Sequence, residues 1–367
     1  MSTLKVSALQ GLSASSDAIT LANDGTCTAN ITNRSNRNLI INGACLISQR
    51  STSSSTSAGY QTVDRWAVYN HGVDEAPTQE QVNVSAPSSP YHLPTSGAHP
   101  YKEGFRKAIG ITNGNQTSGA QAAGYVWLQT SLEAQDIANS GWDYTNTSSY
   151  ITLSFWVKSS VAQTFRCYLR SRDGTEQQYP FETGSLSAFT WTKVTKTIPG
   201  NANLTFDDNN AQGLQLVLLP FIGTDYTNNS ATENAWATYT SAARVKDSAS
   251  TWYTTNDASF QITGVQLEVS SVATDFEHRS YAQELALCQR YYQVGHAKFY
   301  MNNSDDHASC VTFATPMRAA PTMSYTASGG ASGSHAPSST EQIRKENFQY
   351  FKNSNETDFD YSASSEL

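Results

Sequence analysis

The sequence predicts a mainly β protein, an antiparallel β-sandwich of the jelly-roll kind. Three observations carry that prediction: strand-length stretches alternate apolar and polar residues, Gly, Asn and Pro punctuate them at short intervals, and helical periodicity is almost absent. One short helix near 281–292 and an extended N-terminal segment complete the expected plan.

Residues 1–36 contain small strand-like pieces, Leu4 to Leu9, Ala18 to Leu21 and Thr26 to Ile31, with too little apolar surface to form a core alone. Such a leader orders against other copies or a larger assembly, so residues 1–36 are expected to serve as an oligomerisation or attachment segment. The sandwich is expected to fill 37–367. Asn38 to Cys45 opens it, and a Ser/Thr-rich stretch over 51–57 precedes Tyr60 to Trp66. After a Pro-rich region at 86–104, Ile151 to Lys158 alternates strictly, placing Ile151, Leu153, Phe155 and Val157 on one face. Trp156 falls on the other face, with Ser154 and Lys158. A Trp on a polar strand face reads as an interface anchor.

Further strands are expected at 164–170, 190–198, 214–219 and 259–268, with turns at Asp173-Gly174 and Pro199-Gly200. The helix follows from a capping box, Ser280-x-x-Gln283, and from a stripe of Tyr281, Leu285, Cys288 and Tyr292. Tyr281, Leu285 and Tyr292, like Trp156, are candidates for a subunit interface. Strand-like pieces at 311–314, 322–325 and 359–362 are expected to complete the sandwich, with 328–334 as a loop.

Composition excludes several functions. With 31 acidic against 23 basic residues the net charge is −8, which offers no general attraction to nucleic acid. No run of about 18 apolar residues occurs, so no membrane insertion is expected. The opening twelve residues show no secretory signal, which implies assembly in a cytoplasm. Five scattered cysteines without a CxxC pair argue against a disulfide framework or zinc site and read as reduced, buried thiols.

Catalytic motifs are missing: no HExxH, GxSxG, Walker A loop or GxGxxG. A glycosidase needs only two carboxylates, and Glu133, Asp136, Asp143, Glu176 and Glu182 are available, although scattered sandwich carboxylates usually solubilise. No catalytic residue is expected. The histidines show no metal-ligand spacing, and His278, between Glu277 and Arg279, reads as a salt-linked structural residue. Asp207-Asp208-Asn209-Asn210 and Asp305-Asp306 offer the oxygen ligands that Ca²⁺ takes, against ordinary Asp/Asn turns. No cofactor is otherwise expected. For sugar recognition the chain carries 7 Trp and 19 Tyr, and Trp236, Tyr239, Trp252 and Tyr253, in the irregular 223–258 region, are the candidate ligand contacts.

Phe260 to Glu268, Ala273 to Arg279, Glu284-Leu285 and Cys288 to Tyr292 resemble a signature of bacteriophage tail-fibre and virion-fibre proteins. Asn38 to Gly43, Gln49-Arg50, Val63 to Trp66, Trp127 to Gln129, Leu132-Glu133 and Leu153 to Lys158 extend it over 38–292, and Pro316 to Pro321 adds a weaker match. The resemblance implies a carbohydrate-binding-module-like jelly roll displayed on a virion, commonly as a homotrimer. It further implies an N-terminal segment joined to other virion proteins and adhesion to host surface polysaccharide. Tail and head fibres share these modules. Two other readings stand beside it: a polysaccharide-degrading virion enzyme, and a passive capsid decoration without ligand.

Overall fold

The computed structural model describes residues 6–10, 19–21, 27–29, 36–54, 58–87, 98–300, 307–327, 339–352 and 356–367. The chain divides into two units, Met1–Arg37 and Asn38–Leu367. In the first, three short antiparallel strands, Ala8–Leu9, Ile19–Leu21 and Cys27–Ala29, pair in sequence order.

The second unit contains the predicted sandwich. One six-stranded antiparallel sheet runs, edge to edge, Ala237–Thr238, Gln177–Ser185, Thr164–Ser171, Gln212–Ile222, Tyr125–Glu133, Ala67–His71. The other runs Thr192–Pro199, Tyr150–Ser159, Ser259–Val269, Lys107–Thr112, Thr78–Asn83, Ser53–Ser54. Alternation turns one side of each strand inward. Val126, Leu128, Phe165, Leu216 and Leu218 of the first sheet meet Leu153, Phe155, Val157, Phe260 and Ile262 of the second in one buried core.

The outer face of the second sheet is closed by the chain's own segments. Trp156 is 1% exposed, packed with Ala44 and Phe105, and donates from Nε1 to Glu103 Oε2 at 3.0 Å. This corrects its reading as an interface anchor: alternation gives the right face, but loops distant in sequence cover it. Gly43 permits that cover, because a Cβ there would lie 2.0 Å from the Val265 carbonyl oxygen. His278 bonds through Nε2 to the Glu103 carbonyl at 2.7 Å and packs on Phe105 and Phe276, so backbone contact replaces the expected salt link.

The helix spans Tyr281–Gln289 with the predicted capping box, and stops three residues short of the expected end. Its buried residues are Glu284 and Cys288, whereas Tyr281 is 61% exposed and Leu285 half-buried. Tyr292 belongs to the next strand, Tyr292–Tyr300, so the predicted four-residue stripe is not one helix face.

The strands beyond the helix join neither six-stranded sheet. They form two three-stranded sheets, ordered Tyr292–Tyr300, Glu356–Ser364, Thr322–Ala327 and His307–Thr312, Asn347–Lys352, Ser339–Glu341, around a separate apolar cluster that includes Phe313, Met317, Phe348 and Phe359. The expectation that they complete the sandwich is thus replaced by a small second β layer. The loop expected at 328–334 and the Asp305-Asp306 pair lie outside the described residues.

Candidate functional site

The residues that carry the sequence resemblance converge on a buried junction beside the helix. Arg290, its C-cap, donates two parallel hydrogen bonds of 2.7 Å to Glu133, and the Tyr291 hydroxyl donates to the same carboxylate at 2.6 Å. Arg65, 1% exposed, lays its guanidinium 3.5 Å over the Tyr291 ring, pairs with Glu366 and donates to the Ser131 carbonyl at 2.6 Å. Arg50 stacks 3.6 Å over Tyr292 and reaches Glu366 at 3.0 Å. Glu284 accepts from the Asn42 backbone and faces Arg279 at 3.6 Å. Burial pushes the Glu284 and Asp64 carboxyls above their ordinary values, hydrogen bonds and nearby arginines opposing it. At Glu133 burial pulls the same way, but the Arg290 and Tyr291 bonds outweigh it and the carboxyl sits below its ordinary value. Every charged side chain here has a partner, so the junction holds sandwich, helix and second layer together and offers a ligand little.

The other carboxylates weighed for hydrolysis are dispersed or engaged. Glu176 pairs with Arg170 and Arg172, Glu182 with Arg166, and Asp143 accepts from Thr145 and Asn146 within a turn; Asp136 stands exposed on the short helix Ala134–Ala138. Asp207 accepts from the amide of Asn209, as an Asp/Asn turn does, and Asp208 from the amide of the distant Asn139. Among the described residues no group of three His, Cys, Asp or Glu side chains is arranged to hold a metal.

The candidate ligand contacts separate into two places. Trp252 and Tyr253 are fully buried in the core, Tyr253 stacking on Phe221 at 4.0 Å, which corrects their reading as loop-borne contacts. The region looked irregular in sequence, yet Thr251–Thr254 forms one helical turn that turns both rings inward. Trp236 and Tyr239 are half-buried at the opposite edge, Trp236 bonded to the Pro199 carbonyl at 2.7 Å and Tyr239 lying 3.5 Å beneath the Arg170 guanidinium.

A different aromatic group stands on the outer face of the first sheet. Val126 and Leu128 point into the core, so Tyr125, Trp127 and Gln129 point out. Register places Tyr69 opposite Trp127 and His71 opposite Tyr125. Tyr125 and Trp127 stack at 3.9 Å with 13° between planes, Tyr69 tilts against Trp127 at 6.1 Å, and His71 against Tyr125 at 5.6 Å. From the loop after Ile222, Tyr226 meets Tyr125 edge-on at 5.8 Å and Arg244 lies over Tyr226 and Trp127 at 4.5 and 5.3 Å. That loop roofs the rest of the face, burying Tyr168, Val217 and Leu219 under Val245, while the four tyrosine and tryptophan rings stay only part-buried and His71 is exposed.

The group is rich in unused hydrogen-bonding capacity. No side-chain hydrogen bond ties Tyr69, Tyr125 or Tyr226 to another described residue, and the Trp127 and Arg244 Nε positions are buried without a partner. Burial raises the Tyr125 hydroxyl above its ordinary value, Tyr226 adding to this and Arg244 opposing it, so it is a donor at neutral pH. The sequence carries the signal that finds this group: the alternation of Tyr125-Val126-Trp127-Leu128 applies here as it does at Trp156.

No protein-family model and no curated protein sequence matches the chain. Among solved structures it is similar to the enzymatically active domain of tailspike protein 4 of bacteriophage CBA120, at 10% identity over 64% of this chain, with a TM-score of 0.32. The match covers 21% of that tailspike chain. It is also similar to the N-terminal cellulose-binding domain of Cellulomonas fimi β-1,4-glucanase C (11% identity, 62% of this chain, 99% of that one, TM-score 0.28) and to a xylan-binding domain of CBM 22 (10%, 60%, 97%, 0.28). Likeness at such TM-scores bears on neither ligand nor activity.

Proposed function

We propose that this chain is a bacteriophage virion-fibre protein that adheres to host surface glycan, with the Tyr69, Tyr125, Trp127 and Tyr226 group as its contact surface. The observation that carries the reading is this part-open aromatic group, with three unused tyrosine hydroxyls, on a face that the chain's own loops otherwise roof. Aromatic rings meet the C–H surfaces of sugars and free hydroxyls bond their oxygens, which is the combination glycan recognition asks for. The fibre role rests on the sequence resemblance, and the short strands of Met1–Arg37 are the segment suited to attachment and trimerisation. Clustered copies would let weak contacts act together. Adhesion without bond cleavage is supported by the engagement of Glu133, Glu176 and Glu182 in ion pairs.

Retention of the full chain on immobilised bacterial envelope polysaccharides tests the reading. Retention lost in Trp127→Ala and unchanged in Trp236→Ala is expected, and retention indifferent to Trp127 overturns it. Mass measurement in solution tests the assembly, a strictly monomeric chain standing against the trimer.

A further inference from the structure

Arginines on the sandwich and its junction follow a consistent pattern. Arg106 spends its guanidinium on the Tyr101 and Phe105 carbonyls at 2.8 and 3.0 Å, and Arg50, Arg65, Arg166, Arg170, Arg172, Arg279 and Arg290 each meet a carboxylate within 4 Å. Arg244 meets none among the described residues. Its backbone N–H bonds to the Tyr226 carbonyl at 2.9 Å, and its guanidinium rests on the Tyr226 and Trp127 rings with Nε buried and unpartnered. Two acidic residues flank this contact, Asp247 near Arg244 and Asp225 beside Tyr226, and neither serves the guanidinium. Asp247 spends its carboxylate on Thr227 and Asn229 at 2.7 and 2.6 Å, and Asp225, on the turn Thr224–Tyr226, makes no ion pair with Arg244.

A part-buried guanidinium normally finds an anion, because desolvation without one is costly. Aromatic faces supply part of that compensation and hold the cation in place. They leave its capacity for charge-assisted, forked hydrogen bonds unused, and that capacity matches carboxylate and phosphate oxygens. The Tyr125 and Tyr226 hydroxyls near it add neutral donors to the same face.

We propose that the glycan taken by this face is anionic, its charged group seated on Arg244 while its sugar rings meet the Tyr125 and Trp127 group. This rests on the adhesive reading above and names the chemical class of its ligand. Carboxylate and phosphate substituents share the required chemistry. The chain's net charge of −8 repels polyanions in general, so preference for a charged polymer has to arise locally.

The test measures binding of the full chain at 0.15 M salt to four immobilised polymers: polygalacturonate, its methyl ester, phosphomannan and neutral mannan. Binding to polygalacturonate or phosphomannan at least tenfold tighter than to its uncharged counterpart is expected, weakened about tenfold or more by Arg244→Gln and less by Arg244→Lys. The carboxylate and phosphate arms identify the charged group. Equal binding of charged and neutral polymers, lost in Trp127→Ala, overturns the inference and leaves the adhesive reading standing. Binding to a charged polymer that Arg244→Gln leaves unchanged, with the variant's melting temperature intact, overturns the inference too. Retention of none of the four overturns both.

Discussion

Glu133 and Arg290 stand 157 residues apart in sequence and are joined by two hydrogen bonds of 2.7 Å, one end of the pair fully buried and the other part-exposed. The carboxylate belongs to the last residue of the Tyr125–Glu133 strand, and the guanidinium to the C-cap residue of the only helix of more than five residues among those described. A charge this deep without its partner is costly.

Glu133→Gln is therefore expected to lower stability by about 2–4 kcal/mol at pH 7, the scale of breaking a buried pair. Because the folded carboxyl lies below its ordinary value of 4.5, its stabilising contribution is complete above that value and is lost as pH falls through the folded value. Urea melts of the two proteins should differ at pH 7 and draw together as pH falls below 4.5. A difference that does not shrink on acidification would contradict the assignment.

Trp127→Ala is expected to weaken glycan binding by about 2 kcal/mol, the scale of an aromatic hot spot. Trp236→Ala breaks the bond to Pro199 and its contact with Tyr179, and should lower the melting temperature while leaving affinity unchanged. Titration of both variants against one polysaccharide, alongside thermal melts, separates recognition from packing.

Cysteine labelling probes the core. Burial pushes the Cys45 thiol up to about 12 and the Cys167 and Cys288 thiols upward as well. Cys310 is exposed. Mass spectrometry after brief alkylation should find Cys310 modified and those three protected until denaturant is added. Rapid labelling of Cys288 in the folded protein would mean that the helix does not cover the junction.

Gly264 has φ of +63°, and a Cβ there would lie 2.6 Å from the Phe105 ring. Gly264→Ala should cost about 2–4 kcal/mol, combining left-handed backbone strain with overpacking. Shortening the neighbour in Phe105→Leu should relieve only the packing part. Chemical denaturation of the single and double variants would show that coupling, and strict additivity would contradict it.

Much of the sandwich is readable from local pattern. Ile151 to Lys158, Thr164 to Arg170 and Ser259 to Glu268 lie within observed strands, because period-two alternation and β-branched content are properties of the stretch itself. The strand Gln177–Ser185 escapes such reading, since Pro180 interrupts its pattern and the fold tolerates it next to the short edge pairing with Ala237–Thr238. Side-chain fate beyond strand face is set by distant segments. Trp156 and Trp127 both point away from the core; one is sealed by Ala44 and Phe105, and the other is left part-open beneath Arg244. Burial of Trp252 and Tyr253 depends on a single helical turn too short to announce itself in sequence. The junction residues were legible as a motif, but their role as mutual partners appears only when strands, helix and second layer meet.

The segment between Tyr226 and Arg244 is tied at its neck and at the sheet edge: Thr227 bridges Val245, the Asn228 backbone N–H bonds to the Val245 carbonyl at 2.9 Å, and Ala237–Thr238 pairs with Gln177 and Gln178. Its neck is thus fixed by main-chain bonds that do not depend on which side chains lie between. A new sequence grafted from Asn228 to Arg244 inherits the same mounting, so the charge at position 244 can be exchanged while the Tyr69, Tyr125, Trp127 and Tyr226 rings and the Glu133–Arg290 lock stay unaltered.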